Sequence, residues 1–263
     1  MKKNYFCITV CLVSFILASS IAFSQRNRDR EYYKLSVYHY HDAAQETILD
    51  NYLANALLPG LHRLKVSDIG VFKALANDTT ADKLLYVFMP FESLKDMMKA
   101  EDKLHNDNAY ITAGGEYINA AFDKPPYDRI ETIILYAFPM APEMQLPQLQ
   151  AAKSERVYEL RSYESATEKI FQNKVKMFND GGEVTLFKRL NFNAVFYSEV
   201  IAGKRMPNLM YMTTFENMKD RDAHWKAFGE DDYWKKLSAM PEYQKNVQRN
   251  DIVFLRPAQY SDF

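Results

Sequence analysis

The sequence has 263 residues, of which 48% are hydrophobic and 25% charged, a composition typical of a water-soluble globular protein rather than a disordered chain. Its 33 basic residues nearly balance its 34 acidic ones, so the chain as a whole lacks the basic excess that binding to nucleic acid requires. Length and composition therefore predict one large or two small folded domains and no nucleic-acid partner.

Residues 1–24 have the three parts of a secretory signal: two early lysines, an uncharged stretch over residues 5–18, and small residues just before Gln25. We expect cleavage before Gln25 and export to a periplasm or out of the cell, with no membrane contact afterwards. An uncleaved anchor helix is the alternative, because about 19 residues can just cross a bilayer. Both cysteines, Cys7 and Cys11, precede the cleavage site, so the mature chain has no thiol for a disulfide, a metal site or a nucleophile.

The first half of the mature chain is predicted to mix strands and helices. Alternating polar and apolar residues predict a strand over 33–38, and helical periodicity follows from Ala43 to about Leu58, where Pro59 and Gly60 are expected to end the helix. The remaining elements of this half are strands over 69–75 and 84–91, helical segments between 92 and about 119, and a strand over 130–138.

The second half shows the same succession of patterns. A strand over 158–163 is followed by a helix from about 166 to 178, and Gly181 and Gly182 then break the helical pattern. The later elements are strands over 194–201 and 209–215, helices between 216 and about 247, and a strand over 252–255.

The two halves repeat each other. Residues 91–96 read Phe-Glu-Ser-Leu-Lys-Asp, and 124 positions later residues 215–220 read Phe-Glu-Asn-Met-Lys-Asp. Each half has the order βαββαβ with an extra helix before its last strand, and a constant offset of this kind indicates an internal duplication. The predicted organisation is a signal peptide over 1–24, a first domain over 25–138, a linker with three prolines over 139–152, and a second domain over 153–263.

A βαββαβ unit is expected to form a four-stranded antiparallel sheet with helices on one face, the ferredoxin-like arrangement. Two such units in one chain can bury their bare sheet faces against each other, which predicts an α+β fold of two tandem ferredoxin-like domains that form one α/β barrel. On the strand over 158–163, alternation is interpreted as placing Tyr158 and Leu160 against the helices, with Glu159, Arg161 and Tyr163 on the barrel side.

Four motifs of the second half resemble the NIPSNAP family and occur in the family's order. They are Val157-Tyr158-Glu159-Leu160-Arg161-x-Tyr163, Val195-Phe196-Tyr197-Ser198-Glu199, Met210-Tyr211-x-Thr213-x-Phe215 and Arg221-Asp222-Ala223-His224-Trp225. The resemblance covers about residues 155–260, and the first half is similar to a diverged copy of the same domain. With its export signal, the chain resembles a secreted, bacterial-type member with two tandem domains.

This resemblance implies the dimeric α/β barrel superfamily, which also contains small monooxygenases, haem-degrading enzymes and muconolactone isomerases. NIPSNAP domains have no settled reaction, so the resemblance implies a fold and leaves the activity and any cofactor unknown. The link of eukaryotic members to mitochondria and vesicle transport does not fit a chain that carries a secretory signal.

The helix after residue 216 holds the first candidate site. Arg221, His224, Trp225 and Phe228 are spaced i, i+3, i+4 and i+7, so they share one helix face and could flank an anionic, partly apolar ligand. The alternative is an amphipathic helix that buries Trp225 and Phe228 while His224 makes a local hydrogen bond. In the first half Ala100 and Glu101 occupy the positions of His224 and Trp225, which favours a site in the second half.

A second set of candidates lies on three strands of the second half. A carboxylate there could act as a base while tyrosines orient a ligand, or a Glu-Arg pair with tyrosines could simply lock two sheets together. This set consists of Glu159, Arg161, Tyr163, Tyr197, Glu199 and Tyr211.

His39 and His41 share one strand face, a spacing that a metal site could use, but no third histidine is placed to join them. We therefore interpret them as a polar strand end and predict no metal site. The chain has no Gly-rich phosphate loop, no G-x-S-x-G and no H-E-x-x-H, so kinases, serine hydrolases of that type and zinc proteases lack their signatures.

Three functional hypotheses remain at this stage. The first is a small-molecule ligand bound in a barrel pocket of the second half, where first-half counterparts such as Lys34, Ser36 and Lys73 have replaced the chemically useful residues. The second is an enzyme resembling the monooxygenases or isomerases of the superfamily, with haem as one conceivable cofactor. The third is a protein-interaction module without a ligand, and association into a homodimer stays open in all three.

Overall fold

A computed structural model describes residues 30–263, so the predicted export signal lies outside the described residues. The elements of the first half are β1 (Tyr32–Tyr40), α1 (Ala43–Tyr52), a π-helical segment (Leu53–Leu57), α2 (Leu58–Arg63), β2 (Gly70–Ala74), a 3-10 turn (Leu75–Asp78), β3 (Lys83–Phe91), α3 (Leu94–His105), α4 (Asn108–Ala113), α5 (Gly115–Ile118) and β4 (Arg129–Ala137). Those of the second half are β5 (Val157–Glu164), α6 (Glu168–Asn179), α7 (Glu183–Arg189), β6 (Phe196–Ala202), β7 (Asn208–Phe215), α8 (Met218–Glu230), α9 (Asp232–Ala239), a 3-10 turn (Pro241–Tyr243) and β8 (Arg249–Pro257). Within the described part of the chain, no helix combines the length and the apolar character needed to span a bilayer.

The eight strands form one closed barrel in the order β1-β3-β2-β8-β5-β7-β6-β4. Each half contributes four adjacent strands, and antiparallel pairing of β2 with β8 and of β4 with β6 joins the halves at two seams. The barrel expected from the sequence is therefore confirmed. Its closure pairs the strand edges that two separate sheets would expose.

Apolar side chains from both halves fill the middle and one end of the barrel. Tyr33, Phe72, Phe88 and Tyr158 are fully buried there. Phe263 closes the same end, with its ring centroid 5.4 Å from that of Phe72 and 6.1 Å from that of Tyr158. The opposite end of the barrel is polar and open.

The two faces of β5 are the reverse of those assigned from the sequence. Tyr158 and Leu160 belong to the barrel interior, whereas Glu159 and Arg161 contact α8 on the outer side and Tyr163 packs in the same outer layer. The assignment was wrong because alternation shows which residues share a face but not which layer covers it. The apolar face suits the apolar interior of the barrel, and the polar face finds hydrogen-bonding partners on the helix.

Two helices also differ from the sequence prediction. The first helical stretch does not end at Pro59 but continues to Arg63. Residues 53–57 form a π-helical turn, in which the Leu58 amide donates a hydrogen bond to the Leu53 carbonyl and so shifts the register of the helix just before the proline. Pro59, which has no amide hydrogen, therefore lies in the first turn of α2, where backbone amides have no partner within the helix. The helix α7 was not predicted at all, since it is short and follows directly on Gly182, whose φ of 77° suits glycine.

The repeated sequence motif has a structural basis in both halves. Ser93 and Asn217, which are 124 positions apart, cap the N-termini of α3 and α8 by accepting hydrogen bonds from the backbone amides of Asp96 and Asp220. The aromatic residue before each cap ends a strand of the barrel. The motif therefore encodes the same strand-to-helix turn twice.

Candidate functional site

The first half has a half-open cavity of about 250 Å³ between the outer face of its sheet and its helices. Strands β1 and β3 form its floor, α2 and α3 form its walls, and tyrosines from α1, α4 and α5 line one end. We call it the first-half cavity and define it by Ser36, Tyr38, Tyr52, Ala100, Tyr110 and Tyr117. Its volume lies just below the usual range of ligand pockets, about 300 to 1,000 Å³.

Four of these residues form a connected group of tyrosines. The hydroxyl oxygens of Tyr52 and Tyr110 are 2.9 Å apart, and the ring of Tyr52 stacks on that of Tyr117 with centroids 3.7 Å apart and planes 5° from parallel. Tyr38 meets Tyr117 edge to face. Burial raises the pKa of Tyr38 to about 12 and also raises the pKa values of Tyr52 and Tyr117. At neutral pH the cavity therefore presents uncharged phenols that can donate or accept a hydrogen bond.

The entrance of the first-half cavity is charged. Lys34 on β1 forms an ion pair with Glu101 on α3, and the two side chains are 20% and 47% exposed. His105 lines the same cavity at the end of α3. A ligand would thus meet polar groups at the entrance and aromatic and aliphatic groups inside.

The corresponding space in the second half is filled by side chains. Arg161 stands where the first half has Ser36, and its guanidinium stacks on the ring of Trp225 with the carbon 3.6 Å from the ring centroid. Trp225 in turn stands where the first half has Glu101. Larger side chains at these two matched positions therefore fill in the second half the space that Ser36 and Glu101 leave open in the first.

Glu159 is the centre of this packed group. Its side chain has no exposed surface, and its two carboxylate oxygens accept hydrogen bonds from Arg161 Nε at 2.6 Å, Arg221 Nε at 2.8 Å and Trp225 Nε1 at 2.8 Å. Burial opposes ionisation, but hydrogen bonding to Arg221, the charge of Arg161 and the Trp225 donor together hold the pKa of Glu159 below its usual range. Both carboxylate oxygens already accept hydrogen bonds, so Glu159 is better suited to hold β5 against α8 than to act as a general base.

Tyrosines and a buried ion pair extend this group towards α6 and α7. Arg161 donates to the Tyr163 hydroxyl at 3.1 Å, and that hydroxyl lies 2.8 Å from the hydroxyl of Tyr211. Nearby, Lys174 Nζ and Glu183 Oε2 form an ion pair at 2.8 Å, with both side chains at most 5% exposed. Sequence reasoning missed this pair, because a lysine and a glutamate nine positions apart on two short helices look like solvent-exposed residues.

The structure separates two other candidates, Glu199 and His224, from this group and places a third, Tyr197, against it. Glu199 on β6 is partly exposed and pairs with Arg30 at 2.8 Å. The ring of His224 packs against Phe192, and its Nδ1 is 2.9 Å from the backbone oxygen of Asp220 one turn earlier. Tyr197 stacks on Tyr211 and is 5% exposed, so it belongs to the packed core of the second half.

His39 and His41 lie at the polar end of β1, and each pairs with carboxylates. His39 Nδ1 is 2.8 Å from Asp82 Oδ1, and His41 Nδ1 is 2.8 Å from Asp128 Oδ1. Among residues 30–263 no three histidine, aspartate or glutamate side chains are grouped so that they could hold a metal ion.

The closed antiparallel barrel, with helices outside and a cavity between sheet and helices, is the architecture of a dimeric α/β barrel built within one chain. Residues 158–262 match the profile of the NIPSNAP family, so the second half carries a NIPSNAP domain. No curated protein matches the chain.

Solved structures extend the likeness of the fold to both halves. A proposed monooxygenase from Lactobacillus acidophilus NCFM superposes with a TM-score of 0.58 at 13% identity, over 87% of this chain and 94% of its own. A second proposed monooxygenase, from Fusobacterium nucleatum, has a TM-score of 0.55 at 7% identity and covers 87% and 92% of the two chains. An anthrone oxidase-like protein has a TM-score of 0.51 at 9% identity and covers 88% and 93%. At these identities the likeness establishes the fold and not the reaction.

Proposed function

We propose that this protein binds a small, flat, largely apolar molecule that carries a hydroxyl group, and that it does so in the first-half cavity. The observation that carries the proposal is a difference at matched positions: the space beside Ser36 and Glu101 is open in the first half, whereas Arg161 and Trp225 fill its counterpart in the second. Because packed protein interiors rarely keep space larger than a water molecule, an open aromatic cavity favours a binding role.

The chemistry of the cavity supports this ligand class. The rings of Tyr38, Tyr52 and Tyr117 offer faces and edges for another aromatic ring. The Ser36 hydroxyl lies on the floor and the Lys34–Glu101 pair lies at the entrance, where they can meet a polar substituent.

This proposal moves the site from the second half, where the sequence placed it, to the first. In the second half Glu159 and Arg161 satisfy each other and are covered by Trp225. A ligand there would have to displace a buried, hydrogen-bonded ion pair, which costs several kcal/mol. We therefore assign these residues to the stability of the NIPSNAP domain.

Titration of the purified protein with 1-naphthol tests the proposal, since this two-ring phenol has the required shape and chemistry. The protein should bind it saturably with one site per chain. Ser36→Leu should abolish binding by filling the cavity, whereas Ser36→Ala, the matched control, should retain it. Absence of saturable binding by the wild-type protein, or equal binding by Ser36→Leu, would overturn the proposal, and the first result would favour a protein-interaction module.

An oxygenase activity at the same cavity is a second candidate, favoured by the fold likeness to two proposed monooxygenases and an anthrone oxidase-like protein over about nine-tenths of the chain. Anthrone is the probe: one molecule with one O₂ gives anthraquinone and water, so no further reductant is needed. Uptake of O₂ that Ser36→Leu abolishes would support this activity. A haem-dependent version at this cavity predicts a Soret band on haem titration that His105→Ala removes, because His105 is the histidine that lines the cavity, and an unchanged spectrum would exclude it.

We further propose that the barrel consists of two tandem ferredoxin-like units and that the chain is exported. The first claim is supported by the strand order, in which β4-β1-β3-β2 in one half corresponds to β8-β5-β7-β6 in the other. The second rests on the sequence of residues 1–24. Intact mass of the protein from an exporting host should give an N-terminus at Gln25, and a full-length chain in the membrane fraction would instead indicate an uncleaved anchor.

A further inference from the structure

The open end of the barrel contains a second cavity, of about 480 Å³, on the inner side of the sheet. Its lining comes from strands of both halves, including β1, β3, β4, β5, β7 and β8. Apolar residues form its floor, where the barrel core ends. They are Val37, Leu84, Ile133, Leu160, Met210 and Val253. We call this space the barrel mouth; it is separate from the first-half cavity, which lies outside the sheet.

His39 is a buried polar group in the wall of the barrel mouth. It is 6% exposed, and its Nδ1 lies 2.8 and 3.0 Å from the two carboxylate oxygens of Asp82. A carboxylate only accepts hydrogen bonds, so Nδ1 carries a proton. The other ring nitrogen, Nε2, has no hydrogen-bond partner among the described residues; Glu131 Oε1 is 3.0 Å away but out of line for a hydrogen bond.

Three cationic side chains surround the rim of the barrel mouth. Arg129, Lys204 and Arg205 are each about half exposed, so their ends can be redirected at small cost. Lys204 and Arg129 pair with Glu131, and Arg205 pairs with Asp251. Burial opposes the charge of Glu131, but Lys204, His39 and Arg129 nevertheless hold its pKa below the usual range.

We propose that the barrel mouth binds an amphipathic monoanion, namely a carboxylate with an unbranched apolar tail. The tail would lie on the apolar floor, and the carboxylate would accept hydrogen bonds from His39 Nε2 in its protonated form and from Lys204 or Arg205. The barrel mouth also contains the carboxylates of Asp82, Glu131 and Asp251, but each of them is already paired with His39, Lys204 or Arg205. An amine would have to displace these partners, whereas the half-exposed Lys204 and Arg205 can be shared with an added carboxylate. Ser162 donates to Asn208 Oδ1 at 3.0 Å beside the floor, which leaves the amide nitrogen of Asn208 as a further donor for an anion.

Calorimetric titration of the purified protein with octanoate tests this site, with octylamine as the probe of opposite charge. Octanoate should bind saturably, and octylamine should not. Lys204→Ser, in an exposed loop where folding is tolerant, and His39→Gln should each weaken octanoate binding about tenfold, the loss expected for one charge-assisted hydrogen bond. Thermal melting checks that both variants stay folded.

Ser36→Leu separates the two cavities, because it fills the first-half cavity and leaves the barrel mouth unchanged. Octanoate binding that survives Ser36→Leu but falls in Lys204→Ser and His39→Gln supports the barrel-mouth site, whatever the result with 1-naphthol. Three results would overturn it: no saturable octanoate binding, octylamine binding as tight as octanoate, or octanoate binding that only Ser36→Leu removes.

Discussion

Replacing Glu159 by glutamine should destabilise the protein strongly. The carboxylate is fully buried and accepts hydrogen bonds from Arg161, Arg221 and Trp225, so Glu159→Gln leaves the buried Arg161 without its counter-charge and leaves Arg221 with only the exposed Asp222. Breaking a buried ion pair from one side costs about 3–5 kcal/mol. Since about 1 kcal/mol shifts the Tm of a chain of this size by about 2–4 °C, the Tm should fall by about 6–20 °C.

The first half offers a matched control. Lys34 occupies the position of Glu159, and its ion pair with Glu101 is partly exposed, so Lys34→Gln should cost about 0–1 kcal/mol. Urea unfolding followed by tryptophan fluorescence measures both variants. The reasoning fails if Glu159→Gln is no less stable than Lys34→Gln.

The dependence on pH gives an independent check of the same interaction. Because the folded-state pKa of Glu159 is lowered from its usual value of 4.5, its contribution to the free energy of unfolding is present above about pH 4.5 and is lost as the pH falls through the folded-state value. The stability difference between the wild-type protein and Glu159→Gln should therefore shrink as the pH is lowered below 4.5. If the stability difference between the two proteins stays constant down to the pH at which they unfold, the charge of Glu159 is not its cause.

Three further substitutions test the packing. Phe263→Ala should cost about 3–5 kcal/mol in urea unfolding, because it empties the end of the barrel beside Phe72, and a loss below about 1 kcal/mol would show that this ring does not close the barrel. Gly182→Ala should destabilise by about 1–3 kcal/mol, since a Cβ at its φ of 77° would lie 2.7 Å from the Tyr233 hydroxyl. Gly229→Ala in α8, where a Cβ meets nothing within 4 Å, should instead stabilise by about 0.5–1 kcal/mol, and equal effects of the two changes would refute the argument from strain and space.

The sequence predicted the barrel because its signals are local or repeated. Alternation marks strands such as β1 and β5, helical periodicity marks α3 and α6, and the motif at residues 91–96 and 215–220 shows that one pattern occurs twice. The layer that each strand face contacts is a tertiary property. That is why Glu159 and Arg161 were correctly placed on one face, which was then assigned to the barrel interior instead of to α8.

The proposed site in the first-half cavity could not be predicted from residue types. A cavity exists where side chains are small, and Ser36 and Ala100 carry no chemical signal of their own. Sequence reasoning instead selected charged and aromatic residues, and these turn out to satisfy one another across 62 to 66 positions, as Glu159 does with Arg221 and Trp225. A position-by-position comparison of the two halves would have revealed the site, because a serine at the position equivalent to an arginine indicates which half has the open space.

Binding of 1-naphthol to the wild-type protein, Ser36→Ala and Ser36→Leu tests the central claim most directly. The account predicts saturable binding to one site in the wild-type protein and in Ser36→Ala, and none in Ser36→Leu at unchanged Tm. Binding that is the same in all three proteins, or that Arg161→Ala abolishes while Ser36→Leu does not, would place the ligand outside the first-half cavity and contradict the account.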